Sequence, residues 1–286
     1  MPSSARRQRR FALFAQLVAV VLAVGAAVAV IGEGPGGRPE ADRLAADEIS
    51  TVPPPLVAAP LPPSADPSPS VSPPSVSTSP SAPAVLRLPG AVPTAGTGRF
   101  GYDDRSGPVL GRAGELRRYR VAVESGSAED VAAFGQAVEV ALAGPGSWVD
   151  SGRLRLQQVP GNAPGDFTVY LATARTAGRM CAAGGVDIRI GGRPYTSCRA
   201  PGQVIINLDR WRLSVPHFVS AGVPLSVYRT YVVNHEVGHQ LGHRHERCPG
   251  SGRPAPVMMQ QTLFLNGCRV NPWPYLGGRR YAGPAL

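Results

Sequence analysis

Four of the five histidines in this 286-residue chain lie within eleven residues, and two of them have a spacing that suits a metal ion. His235 and His239 are four positions apart, so on a helix their side chains leave the same face one turn apart. Two imidazoles placed in this way can bind one zinc ion. Glu236 lies about 100° around such a helix, beside the metal rather than on it. A carboxylate there can act as a general base toward a water on the metal.

The third metal ligand has two candidates, which follow a glycine. Gly242 tolerates the left-handed conformation that commonly ends helices, so the chain can turn at this residue. His245 lies beyond that turn and can fold back to the metal, whereas His243 can reach it only if the helix continues past Gly242. We therefore predict His235, His239 and His245 as zinc ligands. Three histidines leave one position open, as in catalytic zinc sites.

These residues resemble the extended zinc-binding motif of the metzincin metalloproteases, H-E-x-x-H-x-x-G-x-x-H, and match all five of its fixed positions. The resemblance implies three histidine ligands, a glutamate base and a methionine in a tight turn below the metal. Met258 and Met259 are the candidates for that methionine, and we favour Met258. The domain as a whole resembles exported metzincin-like proteins of high-GC Gram-positive bacteria.

The resemblance also implies a fold and a mode of substrate binding. A metzincin-like zincin domain is α+β, with a twisted mixed sheet, an active-site helix and a small C-terminal lobe. Residues 203–208 are the candidate for the edge strand of the sheet along which an extended peptide would bind by strand addition. No tyrosine comes directly after the methionine pair as one does in astacins, so the more distant Tyr275 and Tyr281 are candidates for the tyrosine that assists the transition state there.

Periodicity predicts the elements that must position the histidines. Alternating or continuous apolar runs predict strands at residues 118–124, 153–159, 167–172, 187–190 and 203–208. A helix capped by Ser127 is predicted to reach about residue 143, and the histidine-bearing helix to span residues 224–241. This order of strands and helices indicates one mixed α/β domain.

All four cysteines fall in the same part of the chain as the histidines. They are Cys181, Cys198, Cys248 and Cys268. An even number of cysteines in an exported chain indicates two disulfides, and four cysteines allow three pairings. We favour Cys181–Cys198 and Cys248–Cys268, because each pair closes a modest loop around turn-rich sequence.

Residues 1–32 have the composition of a membrane signal anchor. An apolar run of 22 residues, 11–32, broken only by Gln16, follows four arginines: Arg6, Arg7, Arg9 and Arg10. A transmembrane helix needs about 20 apolar residues, whereas the apolar part of a cleaved signal has about 7–15. We therefore favour an uncleaved single span with the arginines in the cytoplasm and the rest of the chain outside. Cleavage near residues 27–29 is the alternative, and it would give a secreted protein.

Residues 33–98 are rich in proline and serine and predict a disordered linker, because such sequence buries too little apolar surface to offset its ordering entropy. The globular domain is therefore predicted to span residues 99–286. The net charge is +10 and every basic side chain is arginine. Nucleic acid is excluded as the expected partner, because these arginines are scattered instead of forming a basic face.

Together these features predict an extracytoplasmic, membrane-anchored zinc endopeptidase whose substrate is a peptide or a protein. Two alternatives use the same site differently. A cell-surface binding module would need zinc only for stability, and it gives no reason for a carboxylate at Glu236. A cell-wall peptide amidase would use the same metal chemistry on a different amide bond.

Overall fold

The computed structural model describes residues 83–286, which form a mixed α/β fold with one main sheet. The predicted signal anchor at residues 1–32 and most of the predicted linker, residues 33–82, lie outside the described residues. Among residues 83–286, no helix has both the length and the apolar character needed to cross a bilayer.

The described residues form eleven strands and five α-helices. The strands are β1 (Phe100–Tyr102), β2 (Val109–Leu110), β3 (Glu115–Glu124), β4 (Leu154–Gln158), β5 (Phe167–Ala172), β6 (Arg189–Ile190), β7 (Arg193–Pro194), β8 (Cys198–Ala200), β9 (Gln203–Asn207), β10 (Tyr275–Leu276) and β11 (Arg279–Arg280). The helices are α1 (Val131–Ala143), α2 (Ala174–Ala183), α3 (Leu208–Leu213), α4 (Pro216–Ser220) and α5 (Leu225–Gln240). A 3₁₀ turn at Trp148–Ser151 precedes β4.

Seven strands form the main sheet, in the order β2-β4-β3-β5-β9-β8, with β1 also paired to β3. Strands β4, β3, β5 and β9 run parallel to one another. The remaining three strands, β1, β2 and β8, pair antiparallel. The sheet is therefore mixed, as predicted, and two separate hairpins join β6 to β7 and β10 to β11.

The central strands bury side chains on both faces, which explains their nearly continuous apolar sequence. On one face, Val204 and Ile206 of β9 join the large core that contains residues of α1 and α5. On the other face, Ile205 packs in a smaller cluster with Ala177 and Cys181 of α2. Helices α5 and α2 therefore lie on opposite sides of the sheet.

Most predicted elements are present, but two differ from the sequence prediction. Helix α1 is capped by Asp130, whose carboxylate accepts a hydrogen bond from the Ala133 amide at 2.7 Å, and not by Ser127. Ser127 instead accepts from the amide of Glu129 at 3.3 Å, because it lies one turn too early in the chain. The strand predicted at residues 187–190 is reduced to the two residues of β6.

The strand predicted to bind substrate at the sheet edge is not an edge strand. Residues 203–207 form β9, which is paired on one side with β5 and on the other with β8. A turn at Pro201 and Gly202, with Gly202 at φ +71°, folds the chain back so that β8 lies outside β9. The edge strand is therefore β8, Cys198–Ala200. Its three residues are too few to produce a periodic signal in the sequence.

The folded part of the chain begins before residue 99, where the predicted domain starts. The Leu225 amide donates to the Val85 carbonyl at 2.7 Å, and the Leu88 amide donates to the Arg212 carbonyl at 2.8 Å. Further along, the Gly98 amide donates to the Glu124 carboxylate at 2.8 Å. Residues 85–98 are thus part of the folded domain. They form no core of their own and are held by hydrogen bonds to its helices and strands.

Both disulfides form in the pairing that the sequence favours. Cys181–Cys198 ties α2 to β8, and Cys248–Cys268 closes the segment that follows the third histidine. The described residues contain no free cysteine. Paired cysteines are typical of domains in oxidising compartments, which agrees with an extracytoplasmic position for this domain.

Candidate metal centre

Helix α5 carries His235 and His239 and ends just before Gly242, the glycine of the zinc-binding motif. Gly242 has φ +94°, and its amide donates to the His239 carbonyl at 3.1 Å. The His243 amide donates to the Gly238 carbonyl at 2.9 Å. These two bonds form a Schellman motif, in which the glycine occupies the position with left-handed backbone conformation and the chain turns away from the helix axis. The histidines beyond Gly242 therefore do not continue the helical face of His235 and His239.

The turn brings His245 back to the two helical histidines. The Nε2 atoms of His239 and His245 are 3.0 Å apart, and one ring nitrogen from each of the three histidines lies within 4.8 Å of the others. His243 points elsewhere, because its ring stacks on Trp148 with 4.3 Å between ring centroids. His235, His239 and His245 can therefore hold a metal ion.

Backbone carbonyls orient two of the three imidazoles. His235 Nδ1 lies 2.8 Å from the Val257 carbonyl, and His239 Nδ1 lies 2.8 Å from the His243 carbonyl. A carbonyl can only accept, so each Nδ1 carries the proton and each Nε2 keeps its lone pair. This is the arrangement usual for metal-bound histidines, whose second nitrogen donates to a carbonyl or carboxylate. The donor set of three neutral imidazoles fits zinc.

Burial keeps these imidazoles neutral. Desolvation, with a contribution from the neighbouring His239 and His245, lowers the pKa of His235 to about 3. Desolvation and His239 lower the pKa of His245 to about 4, and burial also lowers the pKa of His239. A metal ion binds the neutral imidazole, so the cluster is in its ligand form at neutral pH without having to lose protons.

The same shifts predict how the metal-free protein responds to acid. The folded pKa values of three histidines lie below the ordinary value of about 6.5, so the unfolded chain binds more protons below that pH. Glu236 and Glu246, whose pKa values are raised by burial, act in the opposite direction, but the lowered pKa of His243 adds a fourth histidine to the three. The free energy of unfolding is therefore expected to fall when the pH is lowered from about 7 to about 5.

Urea denaturation of the chelator-treated chain at both pH values measures this effect. The dependence should be weaker in a His235→Gln variant, which removes the most strongly shifted histidine. Equal stability of the metal-free chain at the two pH values would contradict the assigned burial of the cluster.

Glu236 is the buried acid of the site. It follows His235 on α5 and is only 5% exposed. Burial raises its pKa to about 8, which favours the protonated form when the positive charge of a metal is absent. A nearby dication favours the carboxylate instead, because opposite charges lower the pKa of an acid. The proton affinity of Glu236 is therefore set by two opposing influences, its burial and the charge of any bound metal ion.

Met258 lies directly against the histidine-bearing helix. Its side chain is fully buried, and together with Trp148 it occupies the space where a Cβ on Gly238 would be. The Met259 amide donates to the Pro256 carbonyl at 2.9 Å, which closes a tight turn around Met258. Met259 belongs to a different cluster, with Ala255 and Cys268. Met258, the methionine that the sequence favours, is thus the one that packs against Gly238 of α5.

This close packing predicts a large cost for a single methyl group. Gly238→Ala would push the Met258 sulfur and the Trp148 ring away from α5, and overpacking of this kind costs about 1–3 kcal/mol. A lower urea midpoint and weaker metal binding are expected, because the Val257 carbonyl that orients His235 moves with Met258. Gly101→Ala is the control, since its Cβ would meet nothing within 4 Å. Equal midpoints for the two variants would contradict this packing.

The loop that carries His245 is fixed by contacts distant in sequence. The Glu246 amide donates to the Met258 carbonyl at 3.1 Å, and the Leu286 amide donates to the His245 carbonyl at 3.1 Å. The Glu246 carboxylate accepts from Arg280 at 2.7 Å. Spacing in the sequence does not indicate these partners, because each of them lies more than ten residues further along the chain.

The two tyrosines proposed as transition-state residues have structural contacts. The Tyr281 hydroxyl donates to the Pro254 carbonyl at 3.0 Å. Tyr275 begins β10, and its amide donates to the Gly146 carbonyl at 2.9 Å. A catalytic role for either tyrosine stays a prediction from the resemblance.

The fold and the geometry of the site together define a mixed α/β domain with a candidate three-histidine metal site. The chain matches the model of the family DUF3152, described as a protein of unknown function, over residues 87–276, and it belongs to that family. No curated protein and no solved structure matches it. The three histidines, Glu236 and Met258 all lie inside the matched range, so the candidate metal centre is part of the family's domain.

Proposed function

We propose that this chain is a zinc-dependent endopeptidase of the metzincin type. The observation that carries the proposal is the convergence of His235, His239 and His245 beside the buried Glu236. A binding protein that used zinc for stability alone would gain nothing from a buried carboxyl group next to the metal, whereas its burial costs free energy. Hydrolysis needs an acid-base group in that position.

Each residue of the site has a separate task in this mechanism. His235, His239 and His245 would hold the zinc, which supplies Lewis acidity and makes water acidic enough to lose a proton near neutral pH. Glu236 accepts the proton of the attacking water and returns it to the amine that leaves when the peptide bond breaks. The Val257 and His243 carbonyls keep the two helical imidazoles in the orientation that points Nε2 into the site.

The substrate is proposed to lie along β8 as an additional strand. Within the described residues, β8 is the last strand at one edge of the sheet. Its Arg199 donates a hydrogen bond to Gln240 at the end of α5. Backbone hydrogen bonds from an edge strand hold a peptide extended, largely independently of its sequence. A peptide held there passes beside His239, the residue before Gln240.

The proposed location is the outer face of the cell membrane. The disulfides agree with an oxidising compartment, and the composition of residues 1–32 supports a single transmembrane anchor. In this position the domain meets proteins and peptides of the cell envelope.

Cleavage of a mixed peptide library by the full chain, with the products read by mass spectrometry, tests the proposal. We expect internal peptide bonds to be cut, the activity to be lost on chelation, and zinc to restore it. Cell-wall muropeptides are assayed in parallel.

Cleavage of muropeptides alone would replace the endopeptidase proposal with the amidase alternative. A zinc-loaded chain that cleaves neither substrate would contradict hydrolysis and would favour a zinc-stabilised binding module.

A further inference from the structure

Arg199 stands where the proposed substrate strand meets the metal centre. It is the middle residue of β8 and is opposite Val204 of β9, whose side chain belongs to the core that α5 covers. Cys198 and Ala200 point to the other face, toward α2. Because side chains alternate along a strand, the half-buried Arg199 side chain points to the face that carries the histidines.

The contacts of Arg199 leave most of its hydrogen-bonding capacity free. Its Nε donates to the Gln240 side-chain oxygen at 3.0 Å, and that partner is a neutral amide. None of the ion pairs found among residues 83–286 includes Arg199. A guanidinium has five donors that match a carboxylate in a bidentate manner. The side chain is therefore held in place by Gln240 without having its charge neutralised.

The Arg199 side chain lies next to the metal centre. Its partner Gln240 is the last residue of α5 and directly follows the candidate ligand His239. The other acid near the cluster, Glu246, is already paired with Arg280 at 2.7 Å. The sheet edge beside Gln240 thus carries the positive charge of Arg199, which none of the ion pairs found among residues 83–286 neutralises.

We propose that Arg199 makes the enzyme selective for substrates with an aspartate or glutamate close to the cleaved bond; this inference rests on the proposed function. A peptide added to β8 places every second side chain on the same face as Arg199. The residue opposite Arg199 has its Cβ about 4.5–5.5 Å away, within reach of an ion pair. An acidic side chain there would form the charge-assisted hydrogen bonds that the guanidinium lacks within the domain.

Matched peptides that differ only by glutamate or glutamine at successive positions around one cleaved bond test this selectivity. For the zinc-loaded wild-type chain, we expect kcat/KM to be higher for glutamate at one position by about tenfold, the gain of a charge-assisted hydrogen bond to a half-buried side chain. Arg199→Gln, which keeps a polar side chain near Gln240, should remove the preference. Arg199→Glu should reverse it in favour of lysine at the same position.

Arg175→Glu is the matched control for Arg199→Glu, because it makes the same change in charge at an exposed position of α2, across the sheet from α5. It should keep the wild-type preference. Equal kcat/KM for the glutamate and glutamine peptides at every position in the wild type would overturn the inference while leaving the endopeptidase proposal intact. So would a preference that survives in Arg199→Gln with its zinc bound. A zinc-loaded wild type that cleaves no peptide would overturn the proposed function and this inference with it.

Discussion

Glu236→Gln is expected to lower kcat by about 10²–10⁴-fold, the contribution typical of a general acid-base group, and to leave one zinc bound. Glutamine has nearly the same shape as glutamate but cannot accept the proton of the attacking water. Glu236 is not one of the three residues whose ring nitrogens converge, so metal binding should not depend on its charge. Metal content by mass spectrometry and peptide turnover on the same sample measure both properties.

Glu115→Gln is the control for this substitution. Glu115 begins β3 and forms an exposed ion pair with Arg117, so removing its charge should change neither metal content nor turnover appreciably. Unchanged turnover in Glu236→Gln would rule out the assigned role of this residue. A loss of zinc together with activity would instead assign Glu236 a part in holding the metal.

His245→Ala is expected to have the second large effect, which is loss of the metal. This residue supplies one of three ligand atoms that lie within 4.8 Å of one another, and two imidazoles that remain on α5 make an incomplete site. Loss of an outer partner of a ligand already costs about 10–100-fold in affinity, so loss of the ligand itself should cost more. A zinc titration in a competing chelator measures the change.

His243→Ala is the matched control for the third ligand. Its ring stacks on Trp148, and its contribution to the site is the backbone carbonyl that accepts from His239, which alanine retains. We expect this variant to bind zinc almost as well as the wild type, with some loss of stability from the missing stack. The reverse result, with His243 essential and His245 dispensable, would overturn the ligand assignment.

The residues that carry the chemistry of the candidate site lie close together in the sequence, and this is why much of the site can be predicted. His235 and His239 are related by one helical turn, and the left-handed preference of Gly242 marks the end of the helix. The structure has that glycine at φ +94° with His245 folded back next to His239. Regular spacing and one special residue are therefore sufficient to choose three of the four clustered histidines.

The parts that the sequence does not predict depend on long-range contacts. The carbonyl of Val257 that orients His235 comes from a turn 22 residues away, and a backbone carbonyl has no signature in sequence. Strand β8 is too short to produce a pattern, so the sequence predicts the edge strand at residues 203–208, whereas Cys198–Ala200 occupies that edge. Arg280, the partner of Glu246, is one arginine among many and has no distinguishing neighbour.

Stepwise addition of zinc to the metal-free chain, with peptide cleavage measured at each step, tests the central claim most directly. The three-histidine site predicts that activity rises in proportion to zinc and becomes constant at one zinc per chain. A chain that binds one zinc through these histidines and stays inactive toward peptides at every step would contradict the claim that this metal centre is hydrolytic.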